Sequence, residues 1–188
     1  YNGSTWTEVN NLQAARNRLA GAGTSTAALA FGGNAPSASA ITEKWNGTNW
    51  TEVNDLNTAR SELAGAGTQT AAIAMGGTPH ATLTELYNGT NWTAVNVMNT
   101  GRQGFAGCGT TTAALAFGGE APPATAVTEL WNGTNWTEVA DLNTARQKLA
   151  GAGISTSALA IGGDGVSNTA QTESWNGNVW TETSDLNE

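Results

Sequence analysis

The chain has 188 residues and a formal charge of −8 at pH 7, seven Lys and Arg standing against fifteen Asp and Glu. So few cations exclude the clustered basic surface that nucleic acid or an anionic membrane requires, and neither is an expected partner. A single cysteine, Cys108, and a single histidine, His80, exclude an intrachain disulfide framework and a Cys/His metal cluster, and no cofactor motif is present. No apolar run approaches the roughly 18 residues of a membrane-spanning helix, and no basic, then apolar leader opens the chain. It opens inside a repeat instead, so the expectation is a natural protein that extends upstream, or an excised or engineered chain.

Two markers define the repeat. The hexapeptide Trp45-Asn46-Gly47-Thr48-Asn49-Trp50 returns unchanged at Trp131 to Trp136 and nearly so at Tyr87 to Trp92, with looser copies at Tyr1 to Trp6 and Trp175 to Trp180. Gly-Gly pairs stand at Gly32-Gly33, Gly76-Gly77, Gly118-Gly119 and Gly162-Gly163, at intervals of 44, 42 and 44 residues. In chain order, residues 1–10 read as one extra outer strand, Trp6, Thr7 and Val9 matching Trp50, Thr51 and Val53. The first repeat, 11–54, is expected to form strands near 16–24, 26–33, 41–45 and 49–53. The second, 55–96, gives 60–68, 70–77, 82–87 and 92–95. The third, 97–140, gives 102–109, 112–119, 127–131 and 135–139. The fourth, 141–188, gives 146–153, 155–162, 171–175 and 179–183.

The strand reading rests on local chemistry. In Thr70 to Gly77, Ala71, Ile73 and Met75 alternate with Ala72 and Ala74, so both faces are small or apolar, as in a strand covered on both sides. A helix over Leu63 to Ala74 is opposed by Gly65, Gly67, Thr68 and Thr70. Asn88-Gly89 predicts a type I′ hairpin with positive φ at both residues. Four antiparallel strands repeated about every 44 residues are the signature of a propeller blade. Ala-Gly-Ala-Gly runs suit crowded inner strands, and the outer Trp and Tyr residues, worth on the order of 2–3 kcal/mol each when buried, suit the wider rim. The expected fold is an all-β propeller of four-stranded antiparallel blades.

An apolar strand ending in Gly-Gly, then an aromatic, then a Trp, then an Arg opening the next repeat resembles the kelch and galactose-oxidase-type repeat, carried by Gly76-Gly77, Tyr87, Trp92 and Arg102. It departs in that the first aromatic is usually Trp (Trp45, Trp131, Trp175) and the second follows after five residues. The Trp-Asn-Gly-Thr-Asn-Trp-Thr-Glu-Val wording is also similar to repeat arrays in virion proteins of marine tailed phages. Copper oxidation of the galactose-oxidase type needs a histidine pair and a cysteine-linked tyrosine, which this chain cannot assemble, so the resemblance implies a scaffold without that activity. Kelch rings usually have six or seven blades, and this chain supplies four. It can close a small ring, share an eight-bladed ring between two chains or belong to a longer array; the near-identical repeats favour the shared ring.

Candidate functional residues follow the repeat. Arg16, Arg60, Arg102 and Arg146 each open an innermost strand. They can form a basic collar for a carboxylate or sulfate, or pair with acids such as Asp55 and Asp141 or with loop carbonyls, the reading preferred here. Glu43, Glu85, Glu129 and Glu173 recur once per repeat, as structural carboxylates do and a catalytic pair does not. His80 reads as a solvated loop residue and Cys108 as a small buried one. The Asn-x-Thr/Ser triplets read as turn chemistry. The connection after each Gly-Gly varies while the framework hardly changes, which puts Asn34, His80, Glu120 and Asp164 on unlike loops of one face, as a binding module presents them. The expected function is a non-catalytic binding or structural module, concretely a virion or tail-fibre component engaging a host glycan or protein. An intracellular protein-interaction scaffold and an engineered propeller without a ligand are the alternatives.

Overall fold

The structure is a computed structural model and describes residues 3–165 and 167–186. Among the described residues, sixteen short strands form four blades. Blade 1 comprises β1 (Ala20–Thr24), β2 (Ala27–Phe31), β3 (Thr42–Trp45) and β4 (Trp50–Val53). Blade 2 comprises β5 (Ala64–Thr68), β6 (Ala71–Met75), β7 (Thr84–Tyr87) and β8 (Trp92–Val95). Blade 3 comprises β9 (Ala106–Gly109), β10 (Ala114–Phe117), β11 (Thr128–Trp131) and β12 (Trp136–Glu138). Blade 4 comprises β13 (Ala150–Ile154), β14 (Ser157–Ile161), β15 (Thr172–Trp175) and β16 (Trp180–Glu182). Each blade is an antiparallel meander paired in sequence order, and the four stand around a central space as a β-propeller of four blades, open between blade 4 and blade 1. The innermost strands, Gly21–Gly23, Gly65–Gly67, Gly107–Gly109 and Gly151–Gly153, together line a central space of about 230 Å³.

The small inner residues have a geometric cause. A Cβ on Gly65 would lie 2.6 Å from Phe31 Cζ and 2.9 Å from the Gly21 carbonyl oxygen of the preceding blade. The aromatic rim then locks the blades together. The Trp92, Trp136 and Trp180 indoles donate to the Thr42, Thr84 and Thr128 hydroxyls of the blade before, at 3.1, 3.0 and 3.1 Å. Phe31 packs on Trp92 and Phe117 on Trp180, with ring centroids 4.9 Å apart in both. Within blades, the Trp45, Trp131 and Trp175 indoles donate to carbonyls of the inner hairpin turn, Ser25, Thr111 and Ser155. Tyr87 occupies the same place in blade 2, and its buried hydroxyl has no hydrogen-bond partner among the described residues.

The hydrophobic core is divided into three clusters, one between each pair of successive blades. Among the described residues, no cluster or hydrogen bond joins blade 4 to blade 1, so the ring is sealed at three of its four boundaries.

Two local expectations are corrected. Residues 3–9 form no strand, and Tyr1 and Asn2 lie outside the described residues. An outer strand there would need the third strand of a preceding blade to pair with. The Asn-Gly hairpins form, but as four-residue loops: Tyr87 pairs with Trp92, only Gly89 has positive φ, and Asn88 Oδ1 accepts the Thr90 and Asn91 amides at 3.0 and 2.8 Å. The side chain satisfies both amides, so the asparagine never needs the left-handed region.

Candidate functional site

The repeat arginines sit ahead of the inner strands, four residues before Ala20, Ala64, Ala106 and Ala150, and do not form a collar. Their side chains are fully covered. Arg60 donates to the Gly76 and Leu83 carbonyls at 2.8 and 2.9 Å and to Glu85 Oε1 at 3.1 Å. Asn57 donates to Glu85 Oε2 from its backbone and its side chain, both at 2.8 Å. Arg102 with Glu129 and Asn99, and Arg146 with Glu173 and Asn143, repeat the arrangement. Arg16 does so with Glu43 and the Gln13 and Ala14 amides. Arg16, Arg60 and Arg102 thus clamp the linker between blades to the Gly-Gly turn and the third strand, and Arg146 clamps it to the second strand at the Ala160 carbonyl and to the third at Glu173. The acids are these glutamates rather than Asp55 and Asp141, which instead accept the Thr42 and Thr128 amides.

Burial governs the electrostatics of the clamps. It pushes the Arg60 guanidinium down and that of Arg102 to about 10, with the neighbouring carboxylates opposing the shift. Burial alone would raise Glu43, but the Arg16 side chain and the Gln13 and Ala14 amides outweigh it and hold the carboxyl below its ordinary value. Cys108 is buried in the innermost strand β9, where desolvation pushes its thiol up to about 11.

The four variable connections lie on one face. Backbone pairs tie them to the residue after each arginine: Asn17 with Asn34, Ser61 with Thr78, Gln103 with Glu120 and Gln147 with Asp164. His80 is exposed in its loop, and Asn34, Glu120 and Asp164 are partly covered. The next position is the unusual one. Arg18, Glu62, Gly104 and Lys148 all have left-handed backbones, at φ 54, 55, 59 and 54°. That conformation costs a non-glycine residue roughly 1–2 kcal/mol. It is held by a staircase of amides crossing the boundaries: Glu62 to the Arg18 carbonyl at 2.9 Å, Gly104 to Glu62 at 2.9 Å and Lys148 to Gly104 at 2.6 Å.

These four residues rim a recess of about 420 Å³ whose apolar floor is Leu19, Leu63, Phe105 and Leu149. Arg18 pairs with Glu62 across one boundary, and Lys148 lies 3.7 Å from Asp164 of its own variable loop. Gln103 donates to Glu120 at 3.3 Å. The recess therefore combines an apolar base, charges of both signs and the unlike loops at its edge. Of the residues singled out from sequence, Glu120 and Asp164 touch its surroundings, and the four buried arginines do not line it. Sequence reasoning passed over Arg18, Glu62 and Lys148. The available signal was Gly104, which replaces a long charged residue in one repeat and so marks a backbone suited to glycine.

No protein-family model matches the chain, and no curated protein matches it in sequence.

Proposed function

We propose that this propeller is a non-catalytic binding module and that the recess on the variable-loop face receives a saccharide from a host surface. The composition of the recess carries the reading. Leu63 and Phe105 offer an apolar base for the flat face of a sugar ring, and Arg18, Glu62 and Lys148 stand around it as donors and acceptors for hydroxyl or carboxylate groups. Strained backbone at three of the four rim positions supports a site rather than unconstrained drift. The kelch-type likeness of the repeats is part of this proposal. So is the setting, a virion or tail-fibre surface, which rests on the resemblance in repeat wording.

The absence of catalysis is part of the reading. The His80 imidazole stands exposed on a loop with no hydrogen-bond partner among the described residues, and the Cys108 thiol is kept protonated by burial. The test is a glycan array on the wild-type chain, followed by titration calorimetry of any sugar it retains. Glu62→Ala and Arg18→Ala are expected to weaken binding at least tenfold without lowering thermal stability by more than a few degrees. Binding untouched by both would move the site elsewhere, and turnover of the bound sugar would overturn the non-catalytic reading.

A further inference from the structure

The two faces left uncovered at the open boundary are the two halves of the joint that is sealed elsewhere. On blade 4, Leu159 is 40 % exposed, whereas its counterparts Leu29, Ile73 and Leu115 are 1, 0 and 0 % exposed. Ile161 is half-buried where Phe31, Met75 and Phe117 are fully covered. On blade 1, Trp50 is half-buried and its indole N–H has no partner among the described residues, although Trp92, Trp136 and Trp180 all donate to a threonine of the preceding blade. Thr172 is the matching threonine of blade 4, and no indole is seen to donate to its hydroxyl among the described residues. Gly21 completes the pattern. Gly65 is filled by Phe31 at 2.6 Å, while a Cβ on Gly21 would meet only the Leu29 carbonyl oxygen at 3.4 Å.

We propose that this boundary is the docking surface for a second copy of the chain. Blade 4 of each protomer packs on blade 1 of its partner, and two chains share one ring of eight blades. Continuity with the established joint argues for this occupant. The chain already makes the contact three times, and the unmet donor and acceptor are Trp50 and Thr172. A contact between unlike faces closes without leftover surfaces when two copies make it twice. Leu12 and Leu186 hold the same repeat position, so at each joint one yields to the other. The docking does not depend on the saccharide reading. It adds that the rim continues from Lys148 and Leu149 of one protomer to Arg18 and Leu19 of the next, so the recesses of the two chains adjoin.

The test is absolute mass by light scattering on the full chain in physiological salt, from micromolar to several hundred micromolar. The expected mass is twice 19.2 kDa. Leu159→Asp and Trp50→Ala alter residues already solvent-accessible in one chain, so the fold survives them, as an unchanged circular dichroism spectrum verifies. Each is expected to weaken pairing at least tenfold. Val97→Asp, at a position 50 % exposed away from the boundary, leaves the mass unchanged. A mass of 19.2 kDa at every concentration overturns the proposal. So does a dimer indifferent to both boundary variants, or a mass that climbs past the pair as an open chain of copies would.

Discussion

Gly21 and Gly65 occupy the same repeat position, so exchanging each for alanine isolates what a neighbouring blade contributes. Neither has positive φ, and a methyl group at either is compatible with the backbone. At Gly65 the new carbon would sit 2.6 Å from Phe31 Cζ, about 1 Å inside an ordinary carbon–carbon contact. Phe31 cannot withdraw easily, because it is fully buried with its ring centroid 4.9 Å from that of Trp92. Overpacking of this kind costs roughly 1–3 kcal/mol, offset by about 0.5–1 kcal/mol for replacing glycine in a strand. Gly65→Ala is therefore expected to destabilise by about 1–2 kcal/mol. Gly21→Ala meets only a carbonyl oxygen at 3.4 Å, which leaves it neutral or stabilising by about 0.5 kcal/mol. Urea denaturation below the concentration at which chains pair reads the difference as a midpoint separation on the order of 1 M. Equal losses at the two glycines would refute the reasoning, because they would place a blade against Gly21 within the single chain.

Arg102→Ala should cost about 3–5 kcal/mol in the same assay, because it leaves the buried Glu129 carboxylate without its cation; a loss under about 1 kcal/mol would show the clamp to be dispensable. The Glu43 carboxyl is held below its ordinary value, so its contribution is fully present above the unfolded-state value of about 4.5 and is lost as pH falls through the folded value. Stability followed from pH 7 downward should hold until near that ordinary carboxyl range and then decline, and Glu43→Gln should flatten part of the decline. With its thiol near 11, Cys108 should react with a thiol reagent at pH 8 roughly a hundredfold more slowly in the folded chain than in urea.

The glycine–alanine strands, the Gly-Gly pairs and the Trp-Asn-Gly-Thr-Asn-Trp corners report local requirements, and these were legible in the sequence. A strand that abuts another blade must be small, a turn must close, and a rim must be filled. A period that repeats those requirements four times specifies four meanders in chain order. The one-per-repeat glutamates could likewise be recognised as structural, because catalysis has no need of four copies.

Other features depend on which residues meet across a boundary, and no single repeat contains that information. Arg60 reads equally as a collar or a clamp until Glu85 and the Gly76 and Leu83 carbonyls are found around it. Arg18, Glu62 and Lys148 look like ordinary surface charges until the amide staircase holds them left-handed around one recess. Trp50 and Trp92 are the same residue in the same wording. Only the presence of a blade in front of one and not the other makes Trp92 a buried hydrogen-bond donor and Trp50 a half-exposed one. Local propensity acts within about one hairpin of sequence. The fate of an interface residue depends on a neighbour about 44 residues away, and only the folded chain shows which boundaries are filled.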